Sequence, residues 1–376
     1  MHVLITGGAG FIGSHTARAL RSQGHRVRIL DRLDPQIHGE SAVFPDQLRA
    51  VAECIQGSVE SSEDCRRALD GIDAVFHFAS RTGVGQSMYD IGDYVATNVL
   101  GTAILIETIV KMRIRLERFV LASSRAVYGE GMFACQEHGV VHPGLRDPAA
   151  LGRGDFEVYC PHCAAVTRAL PTSTDCGSAP LSVYAMSKWE QEEYCQYAAR
   201  TFDLPLVVLR YFNVYGSLQS LRNPYTGVIS IFYGLLQERR ALSLYEGGKP
   251  IRDFVHVADV VRANLLALNA DIGIGERFNV GTGKAVTIAD VARALGAAMG
   301  VQPELQDRGE FRVGDIYGCF AELNRSRTIL GYEPQVELQQ GMHEFVTWAS
   351  RQPAENKYDV AVSELRLHGL FGQAKR

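Results

Sequence analysis

The segment HVLITGGAGFIG, residues 2 to 13, constrains the fold more than any other stretch. A short apolar run leads straight into glycines, and SHTARALRSQGH then spaces its apolar residues as a helix that ends near a glycine. Strand, glycine-rich turn and helix in that order let backbone N–H groups at a helix N-terminus approach a pyrophosphate. Gly8, Gly10 and Gly13 make the GxGxxG pattern, and Gly7, Gly8, Gly10, Phe11, Ile12 and Gly13 are the candidate cradle. Alone, the pattern is a weak sign. Asp31 strengthens it: it ends the second apolar run, RVRILD, 18 residues after Gly13, where a carboxylate can accept hydrogen bonds from the adenosine ribose. The same carboxylate would repel the 2′-phosphate of NADP, so NAD is the expected cofactor. Arg32 follows immediately and offers a cation that could pair with that phosphate instead.

Further apolar runs, AVFHFA (74 to 79), RFVLASS (118 to 124) and PLVVLRYF (205 to 212), alternate with helix-length segments such as TNVLGTAILIETIVKM. That rhythm predicts an α/β protein, a Rossmann-type doubly wound parallel sheet with helices on both faces. Residues 130 to 180 break the rhythm with Gly, Pro, Cys and Arg, and read as an irregular insertion. After Gly216 the elements shorten, with helices expected at GVISIFYGLLQER and TIADVARALGAAM. The expected division is a dinucleotide-binding domain over 1–215, containing the Cys/His-bearing insertion and joined by 254–285, and a smaller C-terminal α/β substrate lobe from 216–253 and 286–365. The last residues, RLHGLFGQAKR, show no clear pattern and are expected to be mobile.

With 376 residues, 46% of them hydrophobic, the chain can bury more than one core. A net charge of −4 gives no electrostatic footprint for nucleic acid, and no run of 18 or more apolar residues suggests a bilayer span. MHVLITGG has no basic leader followed by a long apolar stretch, so a cytoplasmic protein is expected.

The pentad YAMSK sets Tyr184 and Lys188 four residues apart, on one face of a helix. A free tyrosine has a pKa of about 10, so service as a base near neutrality needs a shift of about 3 units, or about 4 kcal/mol. A neighbouring ammonium and the positive nicotinamide ring are perturbations of the right sign. In isolation YxxxK is a tyrosine and a lysine sharing a solvated helix face; downstream of a dinucleotide loop it reads as an acid/base pair.

At this point the chain resembles the extended short-chain dehydrogenase/reductases, specifically the NAD-dependent sugar-nucleotide epimerase/dehydratase family. TGGAGFIG, HFAS, LASSRAVYG, YAMSK, RYFNVYG, RDFVHVADV, FNVGTG and RVGDI carry the resemblance, in the family's order and over nearly the whole chain outside the insertion. The resemblance implies Ser124 as the catalytic hydroxyl, Tyr184 as acid/base, and Lys188 as its partner and a holder of the nicotinamide ribose. It implies Ala79, Asn98 and Tyr211 at the cofactor, Asn98 as support for the active-site helix. It implies Gly85, Gln86 and Ser87 at the sugar, and Asn213, Arg252 and Arg312 on the substrate diphosphate, a task suited to arginine's planar fork. One departure is Ser58, in GSV, where the family often has the Asp of GDV.

Members that eliminate water resemble one another in an Asp-Glu pair after a threonine, and decarboxylases in a glutamate at the second of those places. Here Arg125 and Ala126 stand there, and neither does carboxylate chemistry. The resemblance therefore implies a nucleotide-sugar 4-epimerase: proton from the 4-hydroxyl to Tyr184, hydride to NAD, turnover of the 4-keto sugar, and hydride return to the opposite face. A 4-ketoreductase or dehydratase of the same family is the alternative, and a non-catalytic NAD or nucleotide-sugar sensor is the alternative outside enzymes.

The insertion holds CQEHG and CPHC, giving Cys135-x2-His138-x21-Cys160-x2-Cys163. Two such knuckles can close a tetrahedral zinc site with no open position, so a structural zinc is expected; His162 or Cys176 could replace one ligand, or the cysteines could simply pack or act in redox chemistry. The insertion, with SLQSLRNPYTGV, resembles dTDP-L-rhamnose 4-epimerases, while related insertions serve UDP-sugar enzymes, so a dTDP- or UDP-hexose is the expected substrate. The resemblance also implies a homodimer formed through the helices around TNVLGTAILIETIV and VYAMSKWEQEEYCQYA.

Overall fold

In a computed structural model, residues 1–40, 42–223, 225, 227–353 and 357–375 are described. Seven parallel strands form the central sheet, in the order Glu276–Val280, Leu206–Tyr211, Arg118–Ser124, Ala74–His77, His2–Thr6, Arg26–Asp31 and Glu53–Gln56. Leu4, Ile5, Val75, Phe76, Phe119, Leu121 and Val207 are fully covered, which is why these strands read as continuous apolar runs and not as alternations. Each such side chain contributes about 1.5–3 kcal/mol of burial. The strand order reverses between His2–Thr6 and Ala74–His77, and the crevice outside their C-terminal ends is where an α/β sheet of this winding binds its ligand.

The first helix, Phe11–Ser22, begins directly after Gly10, three residues before the sequence pattern suggested. The helices Val228–Gln237 and Ile288–Met299 form as expected and share an apolar core with Leu338–Ala349. The continuous helical stretch Ile91–Lys111 has the length and apolarity of a membrane-crossing helix, yet half of it is buried in the protein. It carries the buried Asn98 and Thr102 inward through a π-helical turn over Val95–Leu100, a local widening common at functional sites.

Two expectations are corrected. The insertion is not merely irregular: Met132–Cys135, Gly139–Val141 and Arg168–Thr172 are strands, and they complete a second, six-stranded sheet with Gly318–Ala321, Ile251–Arg252 and Val286–Thr287. Short strands separated by a cysteine-rich loop leave no period-2 signal long enough to read. The tail is ordered as well. Helix Tyr358–Leu367 and strand Phe371–Gln373 follow Leu338–Ala349, and the strand pairs antiparallel with Glu310–Arg312. Tyr89 stacks on His368, with ring centroids 4.3 Å apart, and its hydroxyl donates to Glu364 at 2.9 Å, anchoring this helix across the crevice.

Candidate active site

One crevice of ≈ 650 Å³ runs from the glycine loop to the second sheet. At its first end Gly7 has φ +68, and a Cβ there would lie 2.7 Å from the backbone nitrogen of Ala79. A Cβ on Gly13 would lie 2.6 Å from the carbonyl oxygen of Gly7, so only glycine lets helix and strand approach so closely. Gly8 differs from its expected role: it does not line the crevice, and its Cβ would strike Ile29 in the core at 2.6 Å. Gly10 caps the helix with no side-chain oxygen and no acidic residue stands in the first turn, leaving first-turn N–H groups for an anion. Asp31 accepts from Ala9 N at 3.0 Å and Leu33 N at 2.8 Å, which fixes its carboxylate at the rim. Arg32 is bound to Asp34 and, at 3.1 Å, to Glu60, so its cation is already neutralised by carboxylates. Ser58, in the place of the family aspartate, lines the crevice and accepts from Glu60 N at 3.1 Å. Backbone cradle, fixed carboxylate and neutralised arginine together fit NAD better than NADP.

At the centre, Ser182 caps helix Val183–Phe202 by accepting from Ala185 N at 3.1 Å, and Ser87 Oγ accepts from Tyr184 N at 3.0 Å. Ser87 is fully buried and absent from the crevice wall, so it seats the helix that carries Tyr184 instead of meeting a sugar. Asn98 is buried likewise: its amide accepts from Arg81 N at 2.8 Å and donates to Ser187 Oγ at 2.9 Å, tying the π-helical turn to the same helix. It supports the helix, as expected, and does not touch the cofactor space. The serine pair divides its work. Ser123 is buried and donates to Glu192, which Arg210 holds through two bonds of 2.9 and 2.7 Å. Ser124 faces the crevice, accepts from Ala126 N at 3.2 Å and lies beside Tyr184 in the same wall.

Burial raises the pKa of Tyr184, opposed by the Ser124 hydroxyl and by the charge of Arg125. The expected Lys188 effect takes another form. Lys188 is buried and donates to the carbonyl of Ala122 at 2.9 Å, and burial lowers its pKa to about 7. The cation acting on the phenol is Arg125, a residue whose exclusion from carboxylate chemistry in the sequence concealed its charge. Ala79, Tyr211, Gly85 and Gln86 line this part of the crevice.

At the far end Arg252 and Arg312 flank Asp315, the first at 3.0 Å, and both face the crevice near Arg125. The two guanidinium groups hold the Asp315 carboxyl far below the usual carboxylate range against the opposing effect of burial. Arg125, Arg252 and Arg312 against Asp315 and Glu246, which Arg146 also pairs, leave a positive surplus. Asn213 lines the same space, and its Oδ1 is buried with no hydrogen-bond partner among the described residues. Sequence reasoning missed Arg81, Tyr245, Glu246 and the C-terminal helix, whose Tyr358, Ala361, Val362 and Leu365 complete the wall. No motif signalled that helix. Of the SLQSLRNPYTGV stretch, Pro224 and Thr226 lie outside the described residues, while Gln219, Asn223 and Tyr225 line the crevice.

Outside the crevice, the ligand atoms of Cys135, His138, Cys160 and Cys163 lie within 4.8 Å of one another. Cys135 Sγ is 3.6 Å from Cys163 Sγ and 3.7 Å from His138 Nδ1, and Cys160 Sγ is 3.7 Å from the same nitrogen. All eight cysteines are free. Cys176 belongs elsewhere, 3.2 Å from His142.

The family model described as NAD dependent epimerase/dehydratase family matches residues 3–143 and 157–281. A dTDP-L-rhamnose 4-epimerase of Burkholderia thailandensis is 36% identical over 353 residues, covering 93% of this chain and 95% of its own. Among solved structures, UDP-glucose 4-epimerase of Thermotoga maritima with UDP-glucose is 29% identical, with a TM-score of 0.74 over 93% of this chain and 99% of that one. UDP-glucuronic acid 4-epimerase of Bacillus cereus, in complex with UDP-glucuronic acid and NAD, is 25% identical, with a TM-score of 0.76 over the same shares. The cradle, the Ser124–Tyr184 pair and these likenesses over nearly the full length agree: the chain belongs to the NAD-dependent epimerase/dehydratase family.

Proposed function

We propose that the protein is an NAD-dependent nucleotide-sugar 4-epimerase acting on a dTDP- or UDP-hexose. One observation carries the reading: the half-buried Ser124–Tyr184 pair sits between a backbone cradle for a dinucleotide and a cationic end with the unpartnered Asn213 Oδ1, all in one crevice. Gly7, Gly10, Gly13, Asp31, Ala79, Tyr211 and Lys188 would hold NAD, which, when bound, takes up hydride from the sugar and gives it back. Tyr184 removes the proton from the 4-hydroxyl and later returns it, while Ser124 aligns the phenol and Arg125 stabilises the phenolate. Lys188, its pKa lowered to about 7 by burial and its ammonium donating to the Ala122 carbonyl, would turn its remaining donors to the ribose hydroxyls. Arg312, bound to Asp315 only through Nε and Nη2, turns the rest of its guanidinium to the diphosphate, while Arg252, its terminal N–H groups bound to Ile251, Asp315, Ile316 and Tyr317, adds its positive charge; Asn213 offers its amide oxygen to a substrate donor. Such an anchor keeps the 4-keto sugar captive while it turns over. Arg125 and Ala126 supply no carboxylate, which disfavours elimination.

The Cys135–His138–Cys160–Cys163 cluster is read as a structural zinc site. Zinc bonds of about 2.3 Å to sulfur in a tetrahedron place sulfurs about 3.8 Å apart, close to the separations seen here. Elemental analysis of protein purified without chelator should find one zinc per chain, falling in Cys160→Ala. A homodimer is read from Ile91, Val95, Leu100, Tyr194 and Tyr197, large apolar residues exposed on the two helices beside the active site, with Leu100 at 51% and Tyr197 at 58% exposure. Sedimentation should give twice the chain mass, reverting to the monomer in Leu100→Asp.

The activity is tested by incubating the protein with dTDP- and UDP-hexoses in deuterated water and following products by NMR. A C4 epimer that keeps its C4 hydrogen supports the reading; exchange at C5 or loss of water overturns it.

A further inference from the structure

Arg146 lies in 144–156, the piece of the insertion that the family model does not match. Its side chain is only 6% exposed. The guanidinium donates to both carboxylate oxygens of Glu246 at 2.5 and 3.1 Å, to the carbonyl of Asp315 at 2.9 Å and to that of Phe156 at 3.3 Å. Its Nε stands 3.3 Å from Glu130 at the start of the insertion. Two buried carboxylates therefore share one cation, and removal of that cation leaves both uncompensated.

The partners are parts of the substrate end. Glu246 lines the crevice with φ +53, a left-handed backbone that a side chain adopts only when its surroundings hold it there. Its neighbour Tyr245 lies under the guanidinium of Arg312, 5.5 Å from ring centroid to carbon. Glu130 accepts from Tyr317 N at 2.7 Å and Gly318 N at 3.3 Å. From the other side Arg252 donates to the carbonyls of Ile316, at 2.8 Å, and Tyr317, at 3.1 Å. Tyr317 packs against the insertion's own apolar cluster of Phe133, Cys135, Val141, Val158 and Cys160.

We infer that Arg146 is a positioning residue for the substrate: clamped between Glu130 and Glu246, it fixes the turn at 245–248 and the segment 315–318, and through them the orientation of Arg252 and Arg312 toward a nucleoside diphosphate. The inference rests on the nucleotide-sugar reading above and names the insertion as the device that aims the diphosphate arginines.

Full-length parent, Arg146→Lys and Arg146→Gln are titrated with UDP and with dTDP by calorimetry, and bound NAD is measured on the same preparations. Arg146→Gln should weaken the nucleoside diphosphate by about tenfold or more, the scale of a lost charged hydrogen bond, with NAD content unchanged and Arg146→Lys in between. With sugar substrate the loss should fall on KM and leave kcat within threefold. Nucleotide affinity within twofold of the parent, with only the melting temperature lowered, would overturn the inference and leave Arg146 a structural residue. Where Arg146→Gln does not fold, Glu246→Gln reads the same quantity and should again weaken nucleotide and spare NAD. A parent that binds UDP or dTDP but epimerises nothing would overturn the epimerase reading and leave this one standing if the variants still differ; a parent that binds neither overturns both.

Discussion

The two ends of the crevice are built on opposite principles. At the cofactor end recognition is backbone work: missing side chains at Gly7, Gly10 and Gly13, open helix N–H groups, and one carboxylate fixed by two amides. At the end proposed for the substrate the wall is made of side chains, with charged residues at 125, 252, 312 and 315 standing beside Glu130 and Arg146 of the insertion. A backbone site tolerates little change, because one added methyl collides with main chain. The side-chain site can be re-aimed by residues that never touch the ligand.

Variants at the junction, then at either end, sharpen or break this contrast. Tyr184→Phe should lower turnover by about 10²–10⁴-fold, the usual weight of a positioned acid/base, while sparing both NAD and nucleotide binding; turnover within tenfold of the parent would remove Tyr184 from the chemistry. Lys188 carries a pH signature. Its folded pKa of about 7 lies below the unfolded value near 10.4, so the unfolded chain binds the extra proton between those limits and Lys188 destabilises the fold most at low pH. Lys188→Met should therefore raise stability near pH 6–7, and the gain should shrink by up to about 1.4 kcal/mol per pH unit toward pH 10. A gain independent of pH, in denaturant melts across that range, would mean the lysine is not held with a lowered pKa.

At the cofactor end, Gly7→Ala meets both positive φ and the Ala79 backbone; a cost of about 1–3 kcal/mol in strain is expected, read as lost NAD with nucleotide binding retained. The smallest effect belongs to Asn213→Ala, which should weaken nucleotide-sugar by about 3- to 10-fold, one neutral hydrogen bond, and leave NAD alone. If Gly7→Ala and Asn213→Ala each impaired both ligands equally, the two ends would not be separable and the comparison would fall.

Legibility in the sequence follows the same line. Strands covered on both faces announce themselves as apolar runs, and a glycine turn has few alternatives, so the central sheet, the cradle and the Tyr184 helix could all be read. Where a residue's work is to hold another residue, the motif was visible and the role often was not: Ser87 seats the catalytic helix, and Gly8 makes room for Ile29, whereas the support Asn98 gives that helix could be read. Arg125 was read only for the chemistry it cannot do, although its charge acts on the phenol. Glu246, Arg146 and the helix Tyr358–Leu367 carry no local pattern at all, because their meaning lies in contacts across a hundred residues or more.

The same helix has a consequence in time. Main-chain elements of the cofactor cradle are all present once the strand Ala74–His77 and Ala79 have been synthesised, whereas the wall of the substrate end waits for Leu365. A chain emerging from the ribosome therefore completes its dinucleotide turn long before it can enclose a sugar, and enclosure waits for nearly the whole chain even though Ser124, Tyr184 and Lys188 are made well before it.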